Sequence, residues 1–174
     1  MIIRYYLSVP HEIKHLESTF RYWINKTLGN QIKGISALTD VEYQETSDKD
    51  DADIIANLVP QSQINQRCGF SELSCSIVQI GDENPDVILF SLENWMGKSN
   101  YKGNIRRYRE YLINHEFLHC RPFHLTHPRN VTSQCSFGKV NEKFLPVMYQ
   151  QSKGLPKNNK SCKYNSWPLP EEFK

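Results

Sequence analysis

The run His115-Glu116-Phe117-Leu118-His119 constrains this chain more than any other. On an α-helix, residues four apart share a face, so both imidazoles can be aimed at one point while Glu116 lies beside them. This is the HExxH pattern, in which two histidines hold a divalent ion and the glutamate handles the proton of a water activated by it. Two chance histidines on a helix are the plainer reading, and the context argues against it. Ile105, Tyr108, Leu112, His115 and His119 recur at intervals of three, four, three and four. They form one stripe, apolar at its start and imidazole-bearing at its end, on a helix expected over 104–120. Imidazoles on a buried stripe lose their hydration, and a bound metal would compensate them.

Zinc in a hydrolase takes three protein ligands and leaves a fourth position open. His124 and His127 are the candidates for the third. In the extended pattern HExxHxxGxxH, a glycine turns the chain after the second histidine. Here Pro122 stands at the glycine position and Leu125 where the third histidine would fall. Proline cannot take the left-handed conformation of such a turn, which implies a wider loop. A wider loop favours His127, two residues late, over His124, one residue early. An acid or a tyrosine, Tyr149 above all, is the remaining way to complete the set. Cys120 reads as a buried thiol. Asn114 reads as helix surface or as a local hydrogen-bonding residue.

The 174 residues suffice for one domain with a real core. Ile2 to Val9 alternates as a strand, and a helical stretch from Pro10 to Gly29 follows, with Ile13, Leu16, Phe20, Trp23 and Ile24 on one side. Further strands are expected at Ile35–Gln44, Ala52–Val59, Ser74–Ile80 and Val87–Phe90, with a loop around Trp95-Met96-Gly97. This order implies an α+β domain with one mixed, twisted sheet and two main helices. Residues 1–103 would hold the sheet and first helix, 104–120 the motif helix, and 121–174 an irregular C-terminal part.

A net charge of +2 gives no support for nucleic-acid binding. The local basic group Lys102, Arg106, Arg107 and Arg109 reads as a solvated helix face. No apolar run is long enough to span a bilayer, and Met1–Val9 lacks the features of a signal peptide. Of the five cysteines, Cys68 and Cys75 are near enough to bridge if the chain turns, and Cys135 and Cys162 flank the segment after the motif. Cysteines in such number lean toward an oxidising, extracellular setting. With no CxxC pair, cysteine ligation of zinc is disfavoured. Asn25-Lys26-Thr27 and Asn130-Val131-Thr132 have the form of glycosylation sequons.

The chain resembles the metzincin-like zincins. It is most similar to an uncharacterised family of zinc metallopeptidase-type domains, found mostly in secreted or anchored actinobacterial proteins. The similarity runs through Ala52–Pro60, Ser74–Ser76, Val87–Trp95, Tyr108–Glu116, Pro146–Leu155, Cys162 and Asn165–Pro168. It implies a zincin-like fold with one zinc ion, a Met-turn residue at Met148 beneath the metal, and a Cys135–Cys162 disulfide. Together with the motif it implies a zinc-dependent endopeptidase acting on peptides or proteins, with Glu116 as general base. Substrate is expected to lie extended along an edge strand. The rival expectation, motivated by the displaced third histidine, is a catalytically inactive zincin fold that retains zinc in a structural or interaction role.

Overall fold

The computed structural model describes residues 1–69, 73–81, 83–127, 144–153 and 162–173. Strand β1 (Ile2–Ser8) buries Ile3, Tyr5 and Leu7 on alternate positions, as its pattern requires. A short 3-10 segment, His11–Leu16, bends into helix α1 (Glu17–Leu28), which buries Phe20, Trp23 and Ile24. The helical turn α2 (Ile35–Leu38) and strand β2 (Glu42–Glu45) come next. Strand β3 (Ile54–Val59) ends at Pro60, which leads into helix α3 (Gln61–Cys68). Strands β4 (Ser74–Ile77) and β5 (Asp86–Ser91) follow, and then helix α4 (Ile105–His119), which carries the motif.

The five strands form one mixed sheet in the order β2-β1-β3-β5-β4. Pairings among β2, β1, β3 and β5 are parallel, and β4 joins β5 antiparallel, with Ser76 opposite Ile88. The main core joins one face of the sheet (Ile3, Tyr5, Leu7, Ile54, Ile88, Phe90) to α1 and α4. The opposite face carries a smaller cluster, Val59, Ile64 and Leu89, under α3. The architecture is therefore α+β with a five-stranded mixed sheet and two main helices on one side. Beyond α4 the described chain is irregular, with single 3-10 turns and one isolated bridge between Phe144 and Lys163.

Several local expectations are corrected. The strand expected at Ile35–Gln44 is a helical turn followed by a later strand. The Thr39 hydroxyl donates to the Ile35 carbonyl at 2.9 Å and closes the turn, so only residues from Glu42 join the sheet. Helix α3 gave no periodic signal, because Ile64 is its single buried residue. Strand β4 stops at Ile77, short of Ile80, because the Gln79 amide leaves the ladder for the Asp86 carboxylate at 2.8 Å. The loop expected at Trp95-Met96-Gly97 is a π-helical turn, Asn94–Lys98, and Gly97 takes φ 102° within it.

The basic group divides. Lys102, Arg106 and Arg107 are exposed, whereas the Arg109 guanidinium lies 5.0 Å from the Trp95 ring centre and donates to the Trp95 carbonyl. Cys68 and Cys75 form a disulfide that ties α3 to β4. Cys162 is buried and disulfide-bonded, while Cys135 lies outside the described residues. The sequon at Asn25 is occupied by structure: its Nδ2 donates to Glu45, and Thr27 is fully buried. The sequon at Asn130 lies outside the described residues. Among the described residues no helix is long and apolar enough to cross a membrane.

Candidate metal centre

Helix α4 opens with Asn104 as its N-cap, whose side chain accepts the Arg107 amide at 2.9 Å. Its last two turns are buried on nearly every side, because the sheet lies beneath and the C-terminal segment lies above. His115 is 4 % exposed and Glu116 3 %. The four-residue spacing then sets the Nε2 atoms of His115 and His119 3.3 Å apart.

The third imidazole is His127. Its Nε2 lies 3.1 Å from that of His115 and 3.1 Å from that of His119, so three ring nitrogens form a nearly equilateral triangle. Among the described residues this is the group of side chains placed to hold a metal ion. Of the two candidates read from the sequence, His124 is the one left out. It is exposed, with φ 50°, and lines the cleft without joining the triangle. Tyr149, the other residue singled out from the sequence, is held by packing and a main-chain bond. Its ring packs with Leu145 and Cys162, and its carbonyl accepts from Tyr111.

The hydrogen bonds behind the rings decide which nitrogens carry protons. His115 Nδ1 lies 2.7 Å from the Val147 carbonyl, and His119 Nδ1 lies 2.7 Å from the Leu125 carbonyl. A carbonyl oxygen only accepts, so each Nδ1 is the protonated nitrogen and each Nε2 presents a lone pair. Lone pairs facing one another at this range repel unless an electrophile lies between them. A tetrahedral zinc ion at about 2.0–2.1 Å from each nitrogen would hold such atoms roughly 3.3–3.4 Å apart. The donor set therefore fits zinc. Burial, and next the neighbouring His119, holds the His115 pKa well below the ordinary imidazole value, which keeps the ring neutral and able to ligate.

Glu116 faces the same cleft as the three histidines. The Ser76 hydroxyl on β4 reaches its Oε2 at 2.8 Å and its main-chain carbonyl at 3.0 Å. The cleft has a volume of about 640 Å³ and runs between β4 with the following Val78 and the loop 124–127. Strand β4 is the sheet's edge on this side. Met148 is buried in the main core and follows directly on Val147, whose carbonyl orients His115. Tyr111 ties the two segments together: its hydroxyl donates to the Tyr149 carbonyl and accepts from the Gln151 amide, each at 2.9 Å.

Of the two readings of Asn114, helix surface is overturned, since it is fully buried, and local hydrogen bonding holds. Its Nδ2 donates to the Glu110 carbonyl and, at 2.8 Å, to the Ser166 carbonyl. The sequence reading missed Ser76 and the carbonyls of Val147 and Leu125. Main-chain acceptors carry no residue signature, and a serine on an edge strand is common, so no signal marked them.

Residues 2–170 match a family described as "Protein of unknown function (DUF3152)". No curated protein matches the chain.

Proposed function

The chain belongs to that family, whose description assigns no activity, and from this premise we propose that it is a zinc-dependent endopeptidase of zincin type. One observation carries the reading: three imidazole Nε2 atoms converge, those of His115 and His119 presenting lone pairs, with the Glu116 carboxylate in the same cleft. The antiparallel edge strand beside a motif helix, and the buried Met148 next to the carbonyl that orients His115, support the zincin-like part.

Zinc bound there would polarise a substrate carbonyl and lower the pKa of a water molecule. The residues of the chain do the rest. Glu116 receives the proton of the attacking water on its carboxylate and returns it to the leaving amine. Ser76 donates to Oε2 at 2.8 Å and orients the carboxylate in the cleft. Val147 and Leu125 hold the two helix imidazoles in the ligating tautomer. An extended peptide adds along β4, the outermost of the described strands, by main-chain pairing, which brings a backbone carbonyl past the histidines.

The test is Glu116→Gln, which keeps the shape and removes the base. Peptide cleavage should fall on the order of 10²–10⁴-fold while zinc is retained. A chelator should abolish cleavage by the unaltered protein, and added zinc should restore it. Cleavage that survives both changes would overturn the proposal. Stoichiometric zinc with no cleavage of any peptide in a broad library would leave a zinc protein without turnover.

A further inference from the structure

A charge pair at the exit of the motif helix takes no part in the chemistry above. Asp86, fully buried at the start of β5, accepts from four donors. Oδ1 takes the Gln79 amide at 2.8 Å and Arg121 Nη2 at 3.4 Å. Oδ2 takes the Arg121 amide at 2.8 Å and Arg121 Nε at 3.2 Å. Arg121 Nη2 also donates to the Asn84 carbonyl at 2.8 Å. A buried carboxylate is costly unless its oxygens are filled. Here the filling ties three places together: the chain after β4, the turn before β5, and the second residue beyond His119.

From that anchor the chain runs to His127. The amides of Phe123 and His124 both donate to the Cys120 carbonyl, at 3.2 and 3.1 Å. The Leu125 amide returns to the Leu118 carbonyl at 2.9 Å, and the Leu125 carbonyl takes His119 Nδ1. The anchored segment thus carries both the third imidazole and the acceptor that orients the second.

We propose that Asp86 and Arg121 are positioning residues for the metal centre, and that their ion pair holds residues 121–127 so that His127 Nε2 meets those of His115 and His119. The inference rests on the zinc reading of the site and not on peptide hydrolysis. If the pair only closed the core, breaking it would lower stability and leave the metal affinity of the folded protein unchanged.

The experiment compares the unaltered protein with Arg121→Met, His127→Ala and the double variant, each checked for folding by circular dichroism. Zinc affinity is read by competition with a chelator, and the ligand set by the visible spectrum of the cobalt-loaded protein. Arg121→Met should weaken zinc tenfold or more, in the range seen when outer partners of metal ligands are lost. Its cobalt spectrum should move toward that of His127→Ala. In the His127→Ala background the same change should cost less than about twofold, because the residue it acts through is already gone. Should Arg121→Met fail to fold, Arg121→Lys, which keeps the charge and loses the two-pronged geometry, supplies the same comparison.

Unaltered affinity and spectrum in the folded Arg121 variant would overturn the proposal, as would an equal tenfold loss with and without His127. A protein that takes up neither zinc nor cobalt would remove this inference together with the metal reading. The expected coupling in a protein that cleaves no peptide would support this inference and remove the peptidase reading alone.

Discussion

The sheet half of the molecule and its C-terminal segment hold their backbones by different means. Before residue 120, ladders and helices satisfy the main chain, and close packing supplies the remainder. Phe117 is fully buried there, with the rings of Tyr5 and Tyr43 set edge-on to it at 5.8 and 5.4 Å. In the described residues from 144 on, side chains do what ladders do elsewhere. Gln151, fully buried, donates to the carbonyls of Pro146 and Asn165 and accepts the Asn165 amide. Glu172 accepts the amides of Met148 and Leu169. An irregular chain can hold its backbone as a sheet does when a buried amide and a half-buried carboxylate each take two or three main-chain partners. The candidate metal centre lies on the seam, since α4 supplies two imidazoles and the irregular part supplies the carbonyl behind His115.

Perturbing each side separately sharpens the contrast. The largest effect belongs to Phe117→Ala, which should cost about 4 kcal/mol through lost burial and the cavity left behind. Urea unfolding measures it, and a loss below about 1 kcal/mol would mean that this side of the core is not close-packed. Gln151→Ala should cost about 3 kcal/mol, at roughly 1 kcal/mol for each main-chain group left without its partner. Zinc affinity should fall with it, because Val147 belongs to the same tied segment. Unchanged stability would show that water replaces the amide and that the segment is held by other contacts.

The smallest effect at first is that of acid on the metal-free protein. The folded-state pKa of His115 is lowered, chiefly by burial, so the unfolded chain binds more protons as the medium acidifies. The contribution of His115 is therefore whole above a pH of about 6.5 and is lost progressively below it. Calorimetry from neutral pH into the acid range checks the sign. A stability that rises as pH falls through that window would contradict the burial of a neutral His115.

Legibility followed the range of the interactions. Strand β1 was readable because Ile3, Tyr5 and Leu7 alternate, and α4 because its stripe repeats over four turns. The turn at Ile35–Leu38 was not readable, because Ile35, Ala37 and Val41 fall on a pattern that also suits a strand, and a single threonine hydroxyl decides the outcome. Helix α3 hid for the opposite reason, having one buried residue and hence no stripe. At the site, Pro122 in place of a turning glycine implied a longer path to a third histidine. The structure follows that path through the Leu125–Leu118 bond to His127.

By itself the sequence determined that two imidazoles and a carboxylate share the end of one buried helix, because helical spacing is local and needs only a few neighbouring residues to be expressed. Tertiary structure alone decided that His127 completes the triangle, that Val147 and Leu125 set the tautomers, and that Asp86 anchors the loop between them. Those choices join segments as much as 35 residues apart through main-chain groups and one charge pair. Such contacts follow from how the chain closes on itself, and they leave no periodic mark along it.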